Sequence, residues 1–260
     1  MWFPTRIHSH YSLLQSTLKP KRIVEICKDL GYKTAALTDF ASVSGAVKFV
    51  QECEKNDIKP ILGCEIPLKT SNNTTITLIC KNEKGWGKLL EIVSACNDAD
   101  NFKKHPAIPI DQLFELVDDN FICIDGYVGS ALFNELVEDN KCIYSCSEYD
   151  EAGKCLKREY SKDAVVHIAT FREKFGDDYY LEINKLDSET FAATKLVSNC
   201  IDEGAASIGF KNLIAGANIY YGEMADSKDH RILLCSKMRT TLNKVNKDLL
   251  KEDNYRHVRY

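Results

Sequence analysis

Along the chain, compact apolar runs alternate with segments whose apolar residues recur every three or four positions. Residues 3–7 predict a short strand that ends at His8-Ser9-His10. Residues 21–30 (KRIVEICKDL) place Ile23, Val24, Cys27 and Leu30 on one helical face, with Gly31 as the stop. Residues 34–38 (TAALT) predict a buried strand, and 41–56 a helix whose apolar stripe is Val43, Val47, Val50 and Cys53. Strands are expected at 59–68 and 74–80, and a helix at 86–96. After a looser stretch containing Pro106 and Pro109, the pattern reads strand at 121–125, helix at 130–138 and strand at 179–183. A helix at 189–204, a strand at 213–217 and a helical last forty or so residues complete it. This alternation predicts an α/β fold with a mainly parallel sheet and helices outside, either open or closed into a barrel.

Composition narrows the class. The 260 residues allow one large domain or two small ones, and 44% hydrophobic with 28% charged residues excludes disorder and coiled coil. No apolar run approaches the roughly 20 residues of a membrane span, and Met1–His10 has no apolar signal core. Eleven scattered cysteines, an odd number, read as free thiols of a reducing cytosol, so a cytoplasmic protein is expected. A net charge of −4 argues against the whole chain being a nucleic-acid-binding surface. Charge is uneven, however: eleven acidic residues against one basic over 111–151, and nine basic against four acidic over 228–260. Both blocks are compatible with solvated surface; the basic tail also suits an anionic partner or a following module.

Three pieces could carry chemistry. In an extended segment residues two apart share a side, so His8 and His10 could offer two nitrogens to one metal ion; two unrelated imidazoles would give the same pattern. Asp39, in Thr38-Asp39-Phe40, could cap a helix beginning near Ala41 or could orient a histidine. Capping is the expected role. Glu65 lies in an otherwise apolar strand, where an inward carboxylate is costly unless paired or metal-bound. Cys142, Cys146 and Cys155 lack a neighbouring histidine and read as coincidence. His105 and His167 read as loop or helix surface, and His230 as a packing or capping residue.

The blocks HSHYSLL at 8–14, ALTDF at 36–40 followed by SGAVKF at 44–49, and KPILGCE at 59–65 resemble the polymerase-and-histidinol-phosphatase (PHP) domain. The form is that at the N-terminus of the bacterial replicative DNA polymerase III alpha subunit. CKNEKGW at 80–86, FGDDYYLEI at 175–183 and DHRILLC at 229–235 continue the likeness in order over nearly the whole chain. The resemblance implies a distorted (β/α)7 barrel over 1–235. Residues 236–260 would form a basic C-terminal segment linking to a polymerase module.

Active members of that family hydrolyse phosphoesters on up to three metal ions, and some polymerase-attached ones are 3′–5′ exonucleases. Clustered ions suit such chemistry because one activates water while others neutralise the phosphate. By resemblance His8, His10 and Glu65 match the family's first metal position, with Asp39 and Asn218 as further candidates. Phe40, Leu186 and Tyr220 stand where the family has ligating histidines, and none of the three is a serviceable ligand. The resemblance therefore implies no cofactor or a single zinc or manganese ion, and a catalytically inert structural or docking module in DNA replication. The competing expectation is a phosphoesterase or 3′–5′ exonuclease with a reduced metal site. The partner expected is a polymerase module or another replication protein, with DNA engaged indirectly and no membrane.

Overall fold

A computed structural model describes residues 3–70, 74–127, 129–138, 141–142, 144–153, 155–184, 201–202, 205–206 and 208–244. The first half follows the expected rhythm: β1 (Arg6–Ile7), α1 (Pro20–Asp29), β2 (Thr34–Phe40), α2 (Ala46–Lys55), β3 (Lys59–Pro67), β4 (Thr75–Cys80) and α3 (Glu83–Asn97). Then come α4 (Ile110–Leu116), β5 (Phe121–Asp125), α5 (Phe133–Leu136) and two small hairpins. The hairpins are β6 (Val137–Glu138) with β7 (Lys141–Cys142), and β8 (Tyr144–Tyr149) with β9 (Cys155–Tyr160). Helix α6 (Lys162–Phe175), strands β10 (Tyr179–Ile183), β11 (Leu213–Ala215) and β12 (Asn218–Ile219), and helix α7 (Ser227–Met238) complete the described part.

Local chemistry explains the main helix ends. Pro20 opens α1, where a missing N–H costs nothing, and Gly31 beyond its end takes φ +75°. Asn82 caps α3 by accepting from the Gly85 N–H at 3.1 Å, and Ser161 caps α6 by accepting from Ala164 N–H at 3.1 Å.

A six-stranded sheet runs β11-β10-β5-β4-β3-β2. The sheet is mainly parallel, as expected, with one exception: β4 is antiparallel to both its neighbours. Only residues 68–74 separate β3 from β4, too few for a crossover helix, so the chain must turn back as a hairpin. The pairs β2–β3, β5–β10 and β10–β11 are parallel. Strand β12 follows β11 after two residues and pairs in parallel with β1. Ile7 O of β1 in turn accepts from Thr38 Oγ1 of β2 at 3.4 Å. The β1–β12 pair thus spans from one edge of the sheet toward the other, and the sheet curls into an α/β half-barrel.

Two faces result. Cys64, Ile66, Leu78, Phe121, Cys123 and Leu181 face outward in the largest core, under α3 and α6, while Ile79, Ile124 and Tyr127 form a small cluster inside the curl. A third core, with Val24, Cys27, Leu37, Phe49 and Cys53, seats α1 and α2.

Three helix expectations are corrected. Helix α2 starts at Ala46 rather than Ala41, and its buried face is Ala46, Phe49 and Cys53, leaving Val47 68% exposed. Over 130–138 only Phe133–Leu136 is helical, because residues 137–138 turn into a hairpin. Helix α6 and the 144–160 hairpin were not expected. The expected helix at 189–204 lies largely outside the described residues. Among the described cysteines Cys27, Cys53, Cys64, Cys80, Cys96, Cys123 and Cys235 are free, and burial pushes the Cys80 thiol up to about 12.

Candidate functional site

The C-terminal ends of β1, β2, β3 and β12 converge on one buried pocket. Along β3, Cys64 and Ile66 pack outward, so Glu65 between them must face inward. Its Oε1 accepts from Thr75 Oγ1 at 2.7 Å, and Thr75 Oγ1 lies 3.0 Å from the Tyr127 hydroxyl. The other oxygen, Oε2, lies 3.2 Å from His8 Nε2 without the alignment of a hydrogen bond.

His8 is fully buried. Its backbone N–H donates to Ile219 O at 2.9 Å, extending the β1–β12 pairing one step. Ser12 Oγ, which donates its only hydrogen to Asp39 Oδ1 at 2.7 Å, lies 3.3 Å from His8 Nδ1. Ser12 can therefore only accept from the ring, which assigns the proton to Nδ1 and leaves a lone pair on Nε2. Burial lowers the His8 pKa against the opposing pull of Glu65 and Asp39. A neutral imidazole thus turns its lone pair toward a carboxylate oxygen.

Asp39 does not cap α2, which corrects the sequence expectation: α2 begins at Ala46, behind Gly45. Instead Asp39 accepts from Ser9 N–H (2.6 Å), Ser9 Oγ (2.7 Å) and Ser12 Oγ (2.7 Å). It pins the loop that carries His8, the orienting role weighed as the alternative. A side chain at residue 45 would collide with this knot, since a Cβ there would lie 2.9 Å from the Tyr11 ring.

His10 stands apart. The chain leaves extended geometry after Ile7 and turns at residue 10, so the two-residue rule does not apply. The His10 ring is exposed, beside Tyr11 and 3.3 Å from Leu18 O. Asn218 does reach the pocket: its Nδ2 donates to the Tyr220 hydroxyl at 3.0 Å, while its buried Oδ1 has no well-aligned hydrogen bond among the described residues and the amide favours the charged form of the His8 ring. Tyr220 lies flat on His8, ring centroids 4.5 Å apart and planes within 10°. Phe40, directly opposite Glu65 in the β2–β3 ladder, borders the same pocket, with the Lys237 ammonium 5.9 Å from its ring. Leu186 lies outside the described residues, as do the side chains of Cys142, Cys146 and Cys155. Among the described residues no three His, Cys, Asp or Glu side chains gather as a metal-binding cluster.

Comparison with known families decides the relationship. Residues 4–186 match the family model of the PHP domain. The chain belongs to the PHP domain family. Relatives of this PHP domain include the DNA polymerase III alpha subunits of Treponema pallidum (26% identical, covering 96% of this chain and 20% of that protein), Helicobacter pylori strain 26695 (26%, 91% and 19%) and Chlamydia pneumoniae (24%, 90% and 19%). The PHP chain therefore spans about a fifth of the length of the curated relatives it matches. A Bifidobacterium adolescentis crystal structure, assigned as a metal-dependent phosphoesterase, shares the fold: TM-score 0.50 at 12% identity, covering 85% of this chain and 88% of that one.

Two buried ion pairs escaped sequence reasoning. Arg6, 2% exposed, donates through Nε and Nη2 to Glu182 at 2.8 and 2.9 Å and lies 3.5 Å above the Tyr127 ring. Glu182, in the apolar run YYLEI, carried the same signal as Glu65. His167 on α6 reaches Asp125 at the end of β5, 2.8 Å from Nε2 to Oδ2, rather than lying free on the surface. His230 packs as expected, between Tyr220 and Tyr221, with Nε2 2.8 Å from Gln15 O.

Proposed function

We propose that this PHP domain is a non-hydrolytic module of a DNA-replication assembly, holding or docking a polymerase of the alpha-subunit kind. The carrying observation is the pair of rings at the pocket wall. Phe40 stands opposite Glu65, and Tyr220 covers His8 face to face, its hydroxyl taken up by Asn218. Neither ring offers a metal ligand at neutral pH. His10 points elsewhere and Asp39 spends its oxygens on Ser9 and Ser12. Among the described residues the remaining lone pairs do not add up to a site for two or three ions. Kinship with replicative polymerases supports the replication setting, and with it a cytoplasmic location. Among the described residues no helix is long and apolar enough to cross a membrane. Residues 236–260 would lead to the polymerase module, and contact with DNA would be indirect.

The rival reading is a reduced metal site with phosphoesterase or 3′–5′ exonuclease activity. It is favoured by three buried atoms without a hydrogen-bond partner among the described residues, His8 Nε2, Glu65 Oε2 and Asn218 Oδ1. Those donor types fit one zinc or manganese ion, with His10 joining only if its loop rearranged. When bound, such an ion would supply Lewis acidity toward a phosphoryl oxygen. This chain's part would be to hold it: Ser12 and Asp39 fix the imidazole tautomer, and Thr75 fixes the carboxylate.

The purified chain, supplied with Mn²⁺ or Zn²⁺, is expected to leave 3′-labelled DNA and aryl phosphate esters intact. Hydrolysis that disappears in His8→Ala would overturn the non-hydrolytic reading. The triple variant Phe40→His, Asn218→Asp, Tyr220→His is expected to gain at least one tightly held metal ion by elemental analysis. No gain would mean that the rings are not what bars the cluster.

A further inference from the structure

Five buried side-chain polar atoms have no hydrogen-bond partner among the described residues: Thr5 Oγ1, Arg6 Nη1, His8 Nε2, Glu65 Oε2 and Asn218 Oδ1. Thr5 lies at the bend before β1. The other four share the inside of the curl. Arg6 and Asn218 are register partners in the parallel β1–β12 pair, so their side chains leave the same face. Arg6 and Glu65 are joined through one short chain of contacts. The guanidinium lies 3.5 Å over the Tyr127 ring, the Tyr127 hydroxyl is 3.0 Å from Thr75 Oγ1, and Thr75 donates to Glu65 at 2.7 Å. Glu182 takes Nε and Nη2, which leaves Nη1 as the nitrogen turned away from it. The space around Glu182 is reserved by Gly216, where a Cβ would fall 2.2 Å from the carboxylate carbon.

An unpaired buried polar group costs about 1–3 kcal/mol, so one donor and three acceptors together call for an occupant. A bare cation would satisfy the three acceptors and face a permanent guanidinium. An anion would satisfy Arg6 and face the Glu65 carboxylate. Water both accepts and donates, and two to four polar partners are what a sealed water needs. We propose that a permanently bound water bridges Arg6 Nη1 and Glu65 Oε2, with its second hydrogen on His8 Nε2 or Asn218 Oδ1. Arg6 then serves as the pocket's own positive charge, and a continuous polar chain crosses the barrel interior from Glu182 to Asp39. The inference rests on the reading of the pocket as stripped of its ion cluster. Hydrolysis assays test that reading; solvent tests this one.

The decisive experiment is a high-resolution crystal structure of the chain after dialysis against EDTA. The expected result is a water about 2.7–3.1 Å from both Arg6 Nη1 and Glu65 Oε2. A dry pocket overturns the proposal, as does density about 2.0–2.2 Å from His8 and Glu65, the signature of a cation. In solution, Glu65→Leu should remove one long-lived water from the ¹⁷O relaxation dispersion of the native protein. An unchanged number in a folded variant also overturns it, whereas DNA hydrolysis by a wild-type chain with this water in place would overturn only the functional reading.

Discussion

Two buried carboxylate–histidine pairs sit at strand ends on opposite faces of the same sheet, and they are finished differently. Asp125, at the end of β5, uses both oxygens fully. Oδ1 accepts from Gly126 N–H (2.7 Å) and Leu132 N–H (3.1 Å), and Oδ2 meets His167 Nε2 (2.8 Å) and the Tyr179 hydroxyl (3.0 Å). Burial alone would raise its pKa, but His167, Ser130 and the Gly126 N–H outweigh burial and hold it below the usual carboxylate range. Glu65, at the end of β3, accepts one hydrogen bond and points its other oxygen at a lone pair. A pair that closes every valence is built to hold elements together, here α6, the 126–132 loop and β10. A pair left open is either a ligand site or what remains of one. Burial and residue type are alike in both; only the hydrogen-bond accounting separates them.

The comparison breaks first, and most heavily, at Asp125. Replacing it with alanine takes the acceptor from the Leu132 N–H, leaves the Gly126 N–H to Ser130 Oγ alone, and strands the partners on α6 and β10. Breaking a buried pair of this kind costs about 3–5 kcal/mol. Urea denaturation of Asp125→Ala should register that loss, with α6 amides losing hydrogen-exchange protection first. A change near zero would mean that the closed pair does not hold the helix.

Much of this was legible in the sequence, for identifiable reasons. Strands β2, β3, β5 and β10 are short apolar runs bounded by polar turns, and their expected positions match the structure to within two residues. Glu65 was found because a carboxylate in such a run needs an explanation. Glu182 carried the same signal, but its explanation, Arg6, lies 176 residues away, and pairing at that distance leaves no local trace. Helix α6 did have a readable stripe, Ala164, Ile168, Phe171 and Phe175, diluted by the exposed Val165 and Val166 on its other face. The outward turn of His10 was illegible because β1 is only two residues long, and the spacing argument assumed a strand that continued.

His230 offers a smaller break, because its tie to Gln15 O is to a neutral carbonyl. Burial, reinforced by Lys237 and Arg231 and opposed by that bond, lowers its pKa from 6.5 to about 4. The folded state prefers the neutral ring, so the unfolded chain binds the extra proton between those two values. This contribution to stability is complete above pH 6.5 and is lost as pH falls toward 4, at most about 3 kcal/mol. His230→Leu should flatten the acid slope of stability over that window. An identical slope would move the acid sensitivity to another group.

The smallest expected effect is the sharpest test of the contrast between the two pairs. Glu65→Gln can keep its oxygen on the Thr75 hydroxyl and turn its NH₂ toward His8 Nε2, which has a lone pair to accept it. One hydrogen bond is then gained where two lone pairs had faced each other, and the buried negative charge is removed. Stability in EDTA should therefore change by no more than about 1 kcal/mol in either direction, against the several kcal/mol lost at Asp125. If Glu65→Gln instead costs as much as Asp125→Ala, the Glu65 carboxylate is closed after all, and the two strand ends are alike. If the wild type alone is stabilised on adding Mn²⁺ or Zn²⁺, the open pair is a working ligand site, because only a group that binds the folded state raises its stability in proportion to the ion supplied.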